Sequence, residues 1–129
     1  MIQINQPSSL FPQYGRRIAY GRNINGNSAV ITPLTLDSGI TLAKALPSFA
    51  IIRHVSGDFT LGVVRLEIGS INLSGLVILA TLAAGSHAIF NTSIAGVIVD
   101  TTAALAIEVT TISGGVSSFS IDVFGFVYA

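Results

Sequence analysis

Six carboxylates, two histidines and two Tyr-Gly-Arg triplets are the side chains in this 129-residue sequence best suited to chemistry. The carboxylates are Asp37, Asp58, Glu67, Asp100, Glu108 and Asp122, and no two lie closer than eight positions. A pair meeting in space would suit glycoside hydrolysis, which needs one acid and one nucleophile or base. Their contexts favour a plainer role. Glu67, Glu108 and Asp122 fall in alternating apolar–polar runs, on the polar face, and the other three border turns, where Asp bonds its own backbone. His54 and His87 have no neighbouring carboxylate and sit in no helical metal-binding pattern. With no cysteine there is no thiol nucleophile, disulfide or thiolate metal site. Neither a nucleophile elbow nor a phosphate-binding Gly-Lys loop occurs. The sequence therefore predicts a protein that is not an enzyme and that carries no cofactor and no metal.

The triplets are different. Tyr14-Gly15-Arg16 and Tyr20-Gly21-Arg22 lie six residues apart, with Arg17 between them. Guanidinium forks bind carboxylates bidentately, and tyrosine supplies contact area at interfaces. Tyr14, Arg16, Arg17, Tyr20 and Arg22 are thus the candidate partner-docking residues. The alternative is a segment folded on its own domain, with the arginine stems covering apolar surface.

Residues 1–26 contain three of the six basic residues and no acid, and end in the turn-rich run Asn23-Ile24-Asn25-Gly26-Asn27-Ser28. They read as an extended N-terminal arm, with room for a short strand near Arg17 to Tyr20. Residues 27–129 read as one β domain. Val, Ile and Thr total 38 against 12 Leu, and thirteen Gly punctuate the chain; β-branched residues favour a pleated surface. Runs at Ala29–Leu36, Ser48–Val55, Phe59–Ile68, Leu76–Ala84, His87–Asn91, Val97–Asp100, Leu105–Thr111 and Ser118–Tyr128 give about eight strands. Pro33 places its run at an edge or bulge, and Leu42–Leu46 could form one helical turn before Pro47. Alternation slips near Gly62, which predicts a bulge there. Ser113-Gly114-Gly115 predicts an antiparallel hairpin joining the last two strands. The expected fold is all-β, an antiparallel sandwich or jelly roll.

Only 9% of residues are charged, 50% are hydrophobic and the net charge is zero. A chain of this mass exposes on the order of 6,500 Å² as a monomer, which twelve charges solvate poorly. No basic excess exists to neutralise nucleic acid, and no apolar run reaches the roughly 20 residues of a membrane helix. The start of the chain has neither the basic residues nor the apolar run of a secretory signal. In the last strand both faces are apolar, so Phe124, Phe126 and Tyr128 are the candidate self-association residues. These features predict a homo-oligomer that binds neither nucleic acid nor membrane.

The irregular start, the Cys-free Ser/Thr/Ala/Val-rich strands and the closing pair Leu105–Thr111 and Phe119–Tyr128 resemble the small jelly-roll structural proteins of tailed-bacteriophage virions, capsid decoration (cement) proteins above all. The resemblance implies a trimer seated on the capsid surface, bound to the major capsid protein or another virion protein. It also leaves room for a penton, vertex or tail-fibre head component. A carbohydrate-binding β-sandwich is the alternative from another class.

Overall fold

The strand sequence follows from the β-branched composition, and the turns from glycine and asparagine. A computed structural model describes residues 13–57, 62–69, 71–79, 85–92, 103–112 and 116–127, and the side chains at 13, 14, 54 and 55 lie outside that description. Its strands are β1 (Gln13–Asn25), β2 (Ile31–Pro33), β3 (Thr35–Leu36), β4 (Ala45–Gly57), β5 (Val63–Ile68), β6 (Ile71–Asn72), β7 (Val77–Ile78), β8 (His87–Asn91), β9 (Leu105–Thr111) and β10 (Ser117–Val127). A single 3-10 turn, Leu42–Lys44, precedes β4. No described helix is long and apolar enough to cross a membrane.

The strands form two antiparallel sheets in a β-sandwich-like arrangement. Sheet A has the order β3-β1-β10-β4-β8, and sheet B the order β2-β9-β5-β6, with β7 also on β5. The core between them follows the period-2 rule. From sheet A come Phe119, Ile121 and Val123 of β10 and Ala50 and Ile52 of β4; from sheet B come Val64, Leu66 and Ile68 of β5 and Leu105, Ile107 and Val109 of β9.

Several expectations change here. Residues 13–25 were expected within an extended arm but form the longest strand jointly with β4, with Ile18, Ala19 and Ile24 buried. The segment reads as irregular because β1 slips register against β10 at three places, between Gln13/Arg16, Arg17/Ala19 and Gly21/Ile24. Residues 1–12 lie outside the described residues. The hairpin expected between the last two strands is absent: β9 pairs with β2 and β5, whereas β10 pairs with β1 and β4. Both strands carry an apolar parity, and the two parities face each other across the core, so the intervening turn crosses between sheets. The bulge expected at Gly62 occurs one residue on and on the partner strand. Val63 faces Thr111 and Val64 faces Val109, leaving Thr110 as the extra residue. The run Ala29–Leu36 divides into β2 and β3, which belong to different sheets, and Pro33 sits on an edge strand as its missing N–H requires. Of Leu76–Ala84 only Val77–Ile78 is a strand among the described residues; Val97–Asp100 lies outside them.

Sheet A contains a close backbone approach at Gly125. Between Phe124 and Gly125 the β10–β4 register shifts, and Ser48 becomes the extra residue of β4. A Cβ on Gly125 would overlap the Leu46 carbonyl. Gly125→Ala is therefore expected to destabilise the fold by about 1–3 kcal/mol, the usual cost of overpacking, read as a lower urea midpoint with an unchanged m-value.

Candidate functional site

The slips in β1 decide where its functional side chains point. Strict alternation would put Arg17 on the opposite face from Tyr20 and Arg22. The extra residue Ile18, between Arg17 opposite Phe124 and Ala19 opposite Val123, turns all three to the outer face of sheet A. A second irregularity at Arg22 and Asn23 uses a left-handed Asn23 (φ 51), a conformation asparagine tolerates. Asp122 of β10 lies directly opposite Tyr20 and, on its other side, opposite Ile51 of β4.

Asp122 is the centre of the resulting cluster, its side chain 14% exposed. Its Oδ1 accepts from Arg22 Nη2 at 2.6 Å and Arg17 Nη1 at 3.2 Å. Arg53 Nη2, from β4, lies 3.6 Å from Oδ2. Arg17 Nε also donates to Asp37 Oδ2 at 2.9 Å, and this bond, with the nearby Asp37 and Asp122 charges, raises the Arg17 pKa. The Tyr20 ring carries both neighbouring guanidiniums, with Arg17 4.7 Å and Arg22 5.1 Å from its centroid, a cation–π arrangement. Arg22 Nη1 further donates to the carbonyls of Gly21 and Ile121. Three guanidiniums thus surround Asp122, with Asp37 as the second acid, so the cluster carries a surplus of positive charge. Among the described residues the buried Asp37 Oδ1 and Arg53 Nε find no hydrogen-bond partner.

Beyond the cluster the outer face mixes polar side chains, among them Ser56, Ser118, His87 and Asn91, with an apolar patch. Phe49 and Phe124, opposite each other on β4 and β10, stack with centroids 5.0 Å apart and ring planes at 8°. Ile51 faces Ile89 of the edge strand β8, and Ile89 is 70% exposed.

The structure therefore brings Arg17, Tyr20 and Arg22 together and ties them to acids of their own chain. Arg16 lies apart, donating to the Ser38 carbonyl at 3.2 Å. Phe124 and Phe126 are half-buried and lie on β10, in the middle of sheet A. The Tyr14 side chain and Tyr128 lie outside the described residues. Asp37, Arg53, Asp122, Phe49 and Ile89 were not among the expected site residues. Only cross-strand register reveals them; the available signal was that Asp122 is the sole charge in the last apolar run.

A second cluster occupies the outer face of sheet B. Arg65 of β5 faces Glu108 of β9 and donates from Nε at 3.0 Å, with Nη2 also 3.0 Å from the same oxygen. Glu67, two residues along β5, is 5% exposed, and its Oε2 lies 3.7 Å from Arg65 Nε. Burial raises the Glu67 pKa, aided by a hydrogen bond to Glu108. Glu108 moves down, first because it accepts that bond and then through Arg65. The opposite shifts favour the proton on Glu67 and the charge on Glu108. At the end of the core, Leu34, Leu36, Ile40, Leu42, Ala103 and Leu105 line a cleft of about 360 Å³, with Thr41 its only side-chain hydroxyl. Among the described residues no three His, Asp or Glu side chains converge to hold a metal ion.

No protein-family model matches the chain, and no curated protein matches it.

Two outcomes follow from the clusters. Asp122→Asn keeps the shape but leaves three guanidiniums facing one another around a neutral amide. It is expected to cost about 1.5–3 kcal/mol, the range for hydrogen bonds to charged groups, whereas Arg22→Ala costs about 0.2–1 kcal/mol because that arginine is solvated; urea titrations at low salt separate the two. For the Glu pair the sign is fixed by proton binding. The native state holds a proton on Glu67 that the unfolded chain releases above about pH 4.5, so this contribution is full below that pH and lost as pH rises through the raised value. Glu108 contributes above the ordinary value and loses that contribution as pH falls through its lowered one. Glu67→Gln keeps a donor toward Glu108 and removes the proton. Its stability relative to wild type is expected to rise in urea midpoints as pH climbs above about 4.5; a flat difference rejects the assignment.

Proposed function

We propose that this chain is a non-enzymatic structural subunit of a larger assembly, of the capsid decoration type, that self-associates and docks on a shell of other subunits. The carrying observation is the outer face of sheet A. In an isolated sandwich this face meets water and is polar. Here Phe49, Ile51, Ile89, Phe124 and Phe126 share it with a salt-bridged cluster whose arginines are held at fixed positions. A face with apolar area and pre-ordered guanidiniums suits a partner that presents apolar side chains and carboxylates.

Aromatic geometry supports assembly over glycan binding. Sugar platforms need an open ring face, whereas Phe49 and Phe124 cover one face of each other and Tyr20 is covered by Arg17 and Arg22. The reading includes a jelly-roll path, supported by the connections from β2 to β3, β4 to β5 and β9 to β10, each of which passes between sheets. It places the protein on the virion surface, seated against the major capsid protein.

Because β1 is part of the core, deleting residues 13–22 would unfold the protein; substitutions on the outer face are the suitable probes. Multi-angle light scattering at micromolar concentration is expected to give a multiple of the 13.4 kDa chain mass, and electron microscopy of shells incubated with the protein is expected to show added surface density. Arg53→Ala, at an exposed side chain, is expected to weaken shell binding about tenfold or more with less than about 1 kcal/mol change in stability. A stable monomer that leaves shells bare overturns the proposal.

A further inference from the structure

The edge strand β8 presents a backbone that its own sheet leaves unused. Thr92 N donates to Ser48 O at 2.9 Å, in the register that sets Ala50 opposite Phe90 and Ile52 opposite Ala88. Antiparallel ladders alternate hydrogen-bonded and non-hydrogen-bonded pairs. Ala88 and Phe90 therefore direct their N–H and C=O groups to β4, and His87, Ile89 and Asn91 direct theirs away from the sheet. No described strand pairs with that side.

The other terminal strands are short, and β1, which β3 covers only at Ala19 and Tyr20, is interrupted by three register slips. β3, β2, β6 and β7 have two or three residues each, and β2 ends in Pro33. Short strands and proline are the usual protection of an exposed edge, together with lysine and bulges. The five-residue β8, His-Ala-Ile-Phe-Asn, has none of these, and its central Ile89 is 70% exposed.

We propose that β8 pairs antiparallel with β8 of a second copy, about a two-fold axis through Ile89, joining the two A sheets into one ten-stranded sheet. This rests on the reading of the chain as an assembly subunit and names the contact through which copies meet. The pattern is self-complementary, as an isologous interface requires. With Ile89 opposite its counterpart, His87 faces Asn91 of the second copy at each end. The outward N–H and C=O groups of all three residues are then satisfied. The row Ile51, Ile89, Ile89, Ile51 becomes a continuous apolar stripe across the junction. The charges of the face complement this arrangement. Arg53 and Asp122 sit on β4 and β10, set back from the axis, so no like charges oppose each other there.

The absence of cysteine allows a direct test on the full chain. Directly opposed residues in a hydrogen-bonded antiparallel pair lie about 5.5 Å apart at Cα, inside the roughly 4.4–6.8 Å range of a disulfide. Ile89→Cys is expected to give a covalent dimer under mild oxidation, and Ile78→Cys, equally exposed on sheet B, to stay single on non-reducing gels. Ile89→Lys places two ammonium groups face to face and is expected to halve the mass seen in light scattering while the circular dichroism spectrum is retained. An oligomer that keeps its mass in Ile89→Lys and forms no cross-link through Ile89→Cys overturns this contact and leaves the assembly reading standing. A wild-type chain that is monomeric overturns both.

Discussion

The central position of β10 is the constraint on which the rest of the structure depends. β1 and β4 belong to the same sheet because each pairs with β10, one on either side. The inner side chains Phe119, Ile121 and Val123 fill the core, and the outer Asp122 binds arginines from both neighbours, Arg17 and Arg22 on β1 and Arg53 on β4. The backbone ladder and the charge cluster therefore reinforce one another, each fixing the same three strands. The β1–β10 pairing joins residues about a hundred positions apart, so loop closure precedes any reward from it. Such topologies fold slowly and expose strand edges while they do.

The same few charges explain the surface. Arg17, Arg22, Arg53, Asp37 and Asp122 form one network on sheet A, and Arg65, Glu67 and Glu108 another on sheet B. Eight of the twelve charged residues are thus engaged with one another, which leaves little charge to solvate the rest of the molecule. The two networks differ in sign. Three arginines outnumber two acids on sheet A, whereas two acids share one arginine on sheet B, where burial and the neighbouring Glu108 raise the Glu67 pKa. The polarity in the sequence, basic at the start and acidic afterwards, becomes in the fold a polarity between opposite faces.

What the sequence revealed followed the regularity of its strands. β8, β9 and β10 are bounded by turn residues and their extents were legible, and the alternation of β9 also marked its inward Leu105, Ile107 and Val109. β1 does not alternate, because Ile18 and Ala19 are both buried and Arg22 and Asn23 are both exposed. The same bulges that gather Arg17, Tyr20 and Arg22 on one face erased the period that would have marked them as strand residues. The arginines were singled out by type, but their acids were not, since Asp37 and Asp122 lie 20 and 105 positions from Arg17. The partner of β9 was misassigned for a related reason. A short glycine turn between two apolar runs is compatible with a hairpin or with a crossing between sheets, and only the core distinguishes them.

A β protein with so little charge must limit which of its edges can pair. An unprotected edge accepts any strand, and apolar faces add to the attraction. Among the described residues the terminal strands β2, β3, β6 and β7 are short, β1 beyond β3 is interrupted by register slips, and Pro33 removes a donor from β2. β8 is the longest terminal strand among the described residues, and in the proposed pairing its side chains set the register. A slip of two residues along β8 would move Ile89 from opposite its counterpart to opposite His87 or Asn91, exchanging an apolar contact for a polar mismatch. A slip of one would set outward-directed backbone groups against those already used by β4. In the proposed pairing, the association that low charge favours is confined to a contact with one register and one symmetry, the difference between an ordered subunit and an aggregate.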